Sequence, residues 1–529
     1  MSRYIYTSPL PAVDVPDMHI TDYVTRCCAK HPERLAFING LTGEGLTFST
    51  LITRTKRLAG GLRSHGFLDN DVLALIAPNC ADYAVVLHAT ALCGGTFTPV
   101  NSGFGIAELR CQLLDSKAIW VVADKACMAV ARQAIRGTHV TTLICLQDRC
   151  NGLSISDLLG RQADQVVKDR NTHPVILPYS SGTTGFPKGV MLSHRNLVAN
   201  MVQLTATLQH EENETALAVL PFFHIFGMQV MMGCFLSEGH TIVTLPRFEI
   251  KQALIAIEKY KVTQFFVVPP IVLSLARSPT VDEHDLSSLR KVFCGAAPLG
   301  AKLSQEVSQR LGCAVVQGYG MTELSPASHI TPGYHGKPGA SGVTVPNTRS
   351  RIIDESGNDL PPNITGQLLV KGPQVMIGYL DNNKATRDTV DKDGWLHTGD
   401  LAMIDDEGYL IITDRVKELI KYKGFQVAPA ELEALLITHP DVADAAVVGI
   451  PDEEAGELPK AFLVFAGDAS VIDKQAMNAK TLNIRQFVTD HLARYKAIHQ
   501  VQWIDVIPKS ASGKILRSQL REEMTEQVE

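Results

Sequence analysis

The chain has no surplus of positive charge: lysine and arginine number 49 against 55 aspartates and glutamates, giving a net charge of −6. A nucleic-acid partner needs a basic face to displace counterions, so this balance argues against one. Small anions need only a few local lysines. The eleven cysteines include no Cys-x-x-Cys, and none follows Cys313. This pattern predicts reduced thiols, with neither a disulfide framework nor a zinc site, as in the cytoplasm. Cys27-Cys28 reads as a buried helix pair. No long apolar run is uninterrupted. Tyr83 to Ala107 is uncharged, but Gly94-Gly95, Pro99, Asn101 and Gly103 break it, predicting a buried helix and then a strand. Met1-Ser2-Arg3-Tyr4 leads into prolines and no leader is expected. The final Glu526-Gln527-Val528-Glu529 is no peroxisomal address. There is no basic amphipathic helix, so no membrane partner is expected. A cytoplasmic monomer or homodimer is the expectation. Internal repeats and low-complexity segments are absent.

What is present is the composition of a large globular core: 529 residues, 45% hydrophobic and 20% charged. That length implies more than one domain. Apolar strands are predicted at 72–78, 96–100, 118–123 and 141–146, alternating with helices at 81–92, 108–116 and 128–135. The theme returns at 215–220, 241–245, 264–268 and 291–294. Such alternation implies an α/β fold with parallel sheets covered by helices. In these folds ligands bind at the carboxyl ends of strands. From about residue 349 the texture shifts to short strands at 349–353, 367–370 and 408–412. A compact α/β unit follows the charged segment 414–418, with Pro429 opening a helix over 431–437 and strands at 442–450 and 460–464. The expected organisation is a large N-terminal domain, 1–414, with a β-rich subdomain at about 345–414, and a small C-terminal domain, 415–529.

Residues 177–190 read Leu-Pro-Tyr-Ser-Ser-Gly-Thr-Thr-Gly-Phe-Pro-Lys-Gly-Val. Ser180, Ser181, Thr183 and Thr184 sit among Gly182, Gly185 and Gly189, close to Lys188. Glycines let backbone amides approach an anion, hydroxyls donate, and the lysine adds mobile charge, which suits a loop closing on nucleotide phosphates. It is not a Walker A loop, because Pro187 precedes Lys188 and Gly189 follows it. The loop lies between a strand at 175–177 and a helix starting near His194, which fits strand-loop-helix geometry. Gly318-Tyr319-Gly320-Met321-Thr322-Glu323 follows a strand at 314–317 and reads as a tight turn presenting a flat ring and a hard oxygen ligand for magnesium. Then come Gly394-Trp395-Leu396-His397-Thr398-Gly399-Asp400, Asp414-Arg415, Lys421-Tyr422-Lys423-Gly424-Phe425-Gln426 and Ser510-Ala511-Ser512-Gly513-Lys514. The aspartate can accept ribose hydroxyls, the arginine can reach ribose or phosphate, and the last turn can deliver a lysine.

Together, and in this order, these strings resemble the adenylate-forming superfamily. It holds acyl-CoA synthetases, 4-coumarate–CoA ligases, beetle luciferases and peptide-synthetase adenylation domains. The likeness runs from about Asp22 to Ser518 and is greatest to the coumarate ligase and luciferase branch, through 179–190, 395–400 and 415–429. It implies a mobile C-terminal lid and a two-step reaction. A carboxylate attacks the α-phosphate of Mg-ATP, the lid rotates, and the CoA thiol takes the acyl group. The protein then acts by positioning and neutralising charge, with ATP and CoA as co-substrates and Mg2+ as cofactor. Carried over residue by residue, Ser180–Lys188 close on the β- and γ-phosphates, Thr322 meets the α-phosphate and Glu323 holds the metal. Tyr319 flanks the adenine, Gln317 and Gly318 belong to the ATP/AMP site, and Asp400 and Arg415 bind the ribose. Lys514 stabilises adenylation. Lys421 replaces it after rotation about Lys417, with Lys423, Gly424 and Phe425 near CoA.

The resemblance places His224, Phe226, Val230, Gly295, Ala296, Ala297, Gly320, Met321, Pro326 and Ala327 around the acid. No aspartate stands near His224-Ile225-Phe226 to pair a substrate amine, so amino acids are disfavoured, because a buried unpaired cation costs several kcal/mol. Coumarate ligases carry a tyrosine and a serine where Phe226 and Val230 stand. Without those hydroxyls a 4-hydroxyl on the substrate is buried unsatisfied, at roughly 1–3 kcal/mol. The expected substrate is therefore a small aromatic acid, cinnamate ahead of 4-coumarate. The alternatives are a medium-chain fatty acid, a luciferase-like oxygenase and a module that loads a carrier protein. Luciferases have a serine where Pro326 stands, and no carrier domain follows Lys514. A non-catalytic nucleotide-binding protein is disfavoured, because Glu323, Lys421 and Lys514 are all present.

Overall fold

Four β-sheets organise the chain, described in a computed structural model over residues 4–26, 30–148, 152–180, 187–334, 336–423, 425–452, 454–467, 473–510 and 513–526. In the first sheet, Val72–Ile76, Thr96–Val100, Trp120–Ala123, Thr142–Cys145 and Pro174–Ile176 run parallel. Every side chain of Thr96–Val100 and Trp120–Ala123 is buried, as expected of strands covered on both faces. The uncharged stretch resolves into helix Ala81–Leu92, buried from Tyr83 onward, and the strand after it. Among the described residues no helix is long and apolar enough to cross a membrane.

The second sheet has a parallel centre, Ala314–Gly320, Lys291–Cys294, Gln264–Val267, Thr215–Ala218 and Thr241–Thr244, continued by Leu35–Asn39 and flanked by antiparallel strands at both ends. Helix His194–Leu208 is tied to both sheets. Ser193 caps it, accepting from the Asn196 amide. Five of its polar side chains are buried, and three of them bond the backbone of distant segments. Asn196 donates to the carbonyls of Pro373 and Val375, Asn200 to that of Ala327 and Gln203 to that of Pro346. One helix thus fixes three distant loops.

The β-rich segment is a five-stranded antiparallel sheet. Tyr6–Thr7 joins its edge beside Arg349–Ile353, an addition from the far N-terminus that local sequence does not signal. The fourth sheet uses only strands from Ile420 onward, with its own apolar cluster around Leu432, Val447, Leu463 and Ile484.

Among the described residues seven cysteines are free thiols, but Cys145 is disulfide-bonded, so the expectation of uniformly reduced thiols fails there. Spacing rules miss such a bond because it depends on the chain doubling back. Here the Cys145 amide donates to Leu153 and its carbonyl accepts from Ile155. Cys27 and Cys28 lie outside the described residues.

Candidate functional site

The phosphate-loop string does not join a strand to a helix. Tyr179–Ser180 pairs antiparallel with Lys188–Ser193, which in turn pairs with Pro174–Ile176 and Gly378–Tyr379. The apolar run after Lys188 makes it a sheet strand first, and only then does helix His194–Leu208 begin. Ser181, Gly182, Thr183, Thr184 and Gly185 lie outside the described residues. At the described ends, the Ser180 hydroxyl is buried with no partner among the described residues. Lys188 Nζ stands 5.1 Å from the centre of the Tyr379 ring. The Tyr379 hydroxyl donates to Glu323 Oε1 at 2.7 Å. Burial, then the neighbouring Glu323 charge, pushes the Tyr379 pKa up. Glu323 is itself buried, on the short helical turn Thr322–Leu324. An unpaired hydroxyl, a lysine and a buried carboxylate gather here, a donor set that fits a polyphosphate with Mg2+.

Gly318-Tyr319-Gly320 is not a turn but the end of strand Ala314–Gly320, antiparallel to Ala327–Ile330. Its glycines are needed for close approach. A Cβ on Gly320 would lie 2.1 Å from the Pro326 carbonyl oxygen, and one on Gly318 would lie 2.5 Å from Ile330 Cδ1. The strand carries Tyr319 into place, where its hydroxyl donates to Asp400 Oδ2 at 2.6 Å. Asp400 faces Arg415 across the adjoining antiparallel pair, with Arg415 Nε 2.9 Å from Asp400 Oδ1. Lys514 reaches the same spot. Burial, reinforced by the Arg415 cation and opposed by Asp400, lowers its pKa to about 8. The turn before it rests on the N-terminal part of the chain, since a Cβ on Gly513 would sit 3.0 Å from Val268 and 3.5 Å from Pro270. Tyr319, Asp400, Arg415 and Lys514, drawn from four separate strings, therefore converge.

The remaining lysines lie elsewhere. Lys421 and Phe425 project from the hairpin formed by Ile420–Tyr422 and Phe425–Val427, both exposed. Phe425 stacks on Tyr495 at 4.6 Å, and Lys423 pairs with Glu454 at 2.8 Å. Lys417 is exposed just past Arg415, and Gly424 lies outside the described residues.

Around the expected acid pocket, Phe226 and Val230 are buried on a π-helical segment, Phe226–Gly233, a rare winding often found at functional sites. The Phe226 ring packs 5.9 Å from Phe293 and directly over Gly295, where a Cβ would stand 3.0 Å from it. His224 accepts from the Phe226 amide, and burial lowers its pKa to about 4, so it is neutral at pH 7. Past strand Lys291–Cys294, Ala296 adopts a left-handed φ of 69°, which is uncommon for a residue with a Cβ, and Ala297 follows. Gln317 holds this loop with its amide, accepting from and donating to Leu299 at 2.9 and 3.1 Å, so its side chain is committed to positioning. The Met321 amide donates to Pro326, and Asn200 clamps Ala327 through both its amide and its carbonyl. Tyr379 and Asn200 were not foreseen. Tyr379 lies 56 residues from Glu323, and Asn200 lies 127 residues from Ala327.

The family model described as AMP-binding enzyme matches residues 24–380, and that described as AMP-binding enzyme C-terminal domain matches residues 431–514. The chain is 40% identical over 534 residues to 4-coumarate–CoA ligase 5 of Oryza sativa subsp. japonica, covering 98% of this chain and 97% of the relative. It is likewise 40% identical to 4-coumarate–CoA ligase 1 of Petroselinum crispum, over 98% of this chain and 96% of the relative. Among solved structures, ATP-bound MatB from Rhodopseudomonas palustris superposes with a TM-score of 0.86 at 28% identity, covering 97% of this chain and 100% of the other.

Proposed function

The chain belongs to the AMP-binding enzyme family, and from that premise we propose that it is an ATP-dependent carboxylic acid–CoA ligase working through an acyl-adenylate, with cinnamate as its preferred acid. The observation that carries the reading is the convergence of Tyr319, Asp400, Arg415 and the half-buried Lys514.

In the first step the acid's carboxylate oxygen attacks the α-phosphorus, and the bond to the β-phosphate bridging oxygen breaks, releasing pyrophosphate. Asp400 accepts the ribose hydroxyls while its other contacts, to Tyr319 and Arg415, keep it fixed. The Lys514 ammonium offsets charge gathering on the phosphorus and bridging oxygens, and Thr322 donates to the α-phosphate. A site that holds these charges before reaction has little reorganisation to do, which is how positioning lowers a barrier. Ser180 and Lys188 draw the leaving phosphates away. Glu323, braced by Tyr379, is the residue that would hold Mg2+, which when bound neutralises phosphate charge. We assign 1–414 as the adenylating domain and 415–529 as a lid rotating at Lys417. The second step then brings Lys421, Lys423, Gly424 and Phe425 to the site to receive CoA.

The acid is assigned from Phe226 and Val230. The relatives named above are 4-coumarate–CoA ligases, and an aromatic acid fits walls of Phe226, Gly295 and Ala297. A 4-hydroxyl meets no donor or acceptor from Phe226 or Val230, which costs roughly 1–3 kcal/mol, or about ten- to a hundredfold in kcat/KM. Thioester formation measured with cinnamate, 4-coumarate, benzoate and octanoate tests this. Cinnamate should lead 4-coumarate by about tenfold or more. Equal values would remove Phe226 and Val230 from specificity, and octanoate leading would replace the aromatic acid with a fatty acid.

A further inference from the structure

At the opposite end of the second sheet we propose a binding site for one divalent transition-metal ion of the zinc class, formed by His210, Glu238 and His240. Gly295, just after strand Lys291–Cys294, and Tyr319, near the end of strand Ala314–Gly320, both lie at the carboxyl ends of the parallel strands. His240 immediately precedes strand Thr241–Thr244, and Glu238 closes helix Cys234–Glu238 just before it. His210 follows the end of helix His194–Leu208. The cluster therefore sits at the amino-terminal edge, away from the adenylating chemistry.

One ligand atom from each of the three residues lies within 4.8 Å of the others. His210 Nδ1 is 2.7 Å from Glu238 Oε2. Nothing pairs with His210 Nε2 or with either ring nitrogen of His240 among the described residues, although all three atoms are buried. The His210 side chain has no exposed surface and His240 is 5% exposed. A neutral imidazole always carries one N–H and one lone pair, so His240 leaves both unsatisfied. Buried polar atoms without partners call for an occupant.

The donor set specifies which occupant. Two imidazole nitrogens and one carboxylate oxygen are a zinc-type triad that leaves a fourth position for water. The imidazoles are held in place by Phe235, whose ring packs 4.9 Å from His210 and 5.3 Å from His240. Zinc at about 2.0–2.1 Å from nitrogen needs the ligand atoms to draw closer than their present limit, a movement that side-chain rotation supplies. Glu238 keeps 18% of its side chain exposed, giving the ion an entry path. The site uses no cysteine, so cysteine spacing carries no sign of it.

The test uses the full chain, stripped with chelator and titrated with Zn2+ by calorimetry and with Co2+ by visible absorption. One equivalent should bind, with a Co2+ d–d spectrum lacking thiolate charge transfer, and Zn2+ should raise Tm. Glu238→Gln, at a partly exposed position, and His240→Asn should each weaken binding by about tenfold or more, with circular dichroism confirming the fold. Absence of stoichiometric binding, a thiolate band, or affinity unchanged in both variants would overturn the site and leave a buried water as its occupant.

Discussion

Lys514 offers a prediction whose sign and size both follow from its surroundings. Burial and the Arg415 cation lower its pKa to about 8, from an ordinary value near 10.5. Its proposed role needs the ammonium form. With that pKa, about nine-tenths is protonated at pH 7 and about one-tenth at pH 9. Adenylation should therefore approach its plateau near pH 7, halve by about pH 8 and fall roughly tenfold between pH 7 and 9. Stability should move the other way. Between pH 8 and 10.5 the unfolded chain holds the proton that the folded chain has lost, so stability rises with pH through that window. It recovers roughly 3 kcal/mol that burying the charge costs at lower pH. The assay is pyrophosphate release with acid and subsaturating ATP, leaving CoA out because its thiol titrates nearby. Lys514→Ala should abolish release and remove the alkaline limb from whatever rate remains. A flat profile from pH 7 to 9.5 in the wild-type chain, or an unchanged limb in the variant, would refute the role given to this lysine.

Three further outcomes follow. Lys421→Ala should keep acid-dependent pyrophosphate release near the wild-type rate while cutting thioester formation by about a hundredfold; equal loss of both would contradict its place in the second step alone. Phe226→Tyr should narrow the cinnamate-to-4-coumarate ratio of kcat/KM by about tenfold, and an unchanged ratio would make Phe226 packing only. Glu433 bonds both carboxylate oxygens to Arg517 at 2.6 and 2.7 Å in a largely buried pair. Glu433→Ala strands the guanidinium and should destabilise the C-terminal unit by about 3–5 kcal/mol, read as a lower midpoint in urea unfolding.

What the sequence displays well is whatever depends on neighbours in the chain. Helix Ala81–Leu92 and strand Lys291–Cys294 fall at their expected limits, each a largely apolar run that stops short of a glycine, Gly94 or Gly295. Asp400, Arg415 and Lys514, each at the end of its own string, meet at one place. What is hidden depends on residues far apart. The hairpin of Tyr179–Ser180 with Lys188–Ser193 exists because the latter also finds Gly378–Tyr379. Tyr379 reaches Glu323, and Asn200 clamps Ala327, only through tertiary packing. His210 is likewise separated from Glu238 and His240 by a strand and two helical segments, so no spacing motif exposes the three.

The most direct test of the whole account is to incubate the purified chain with Mg-ATP, CoA and cinnamate and to follow the acyl thioester and AMP together. The account predicts cinnamoyl-CoA and AMP in equal amounts, both dependent on the acid. ADP in place of AMP, or no thioester with any acid of the panel, would contradict it.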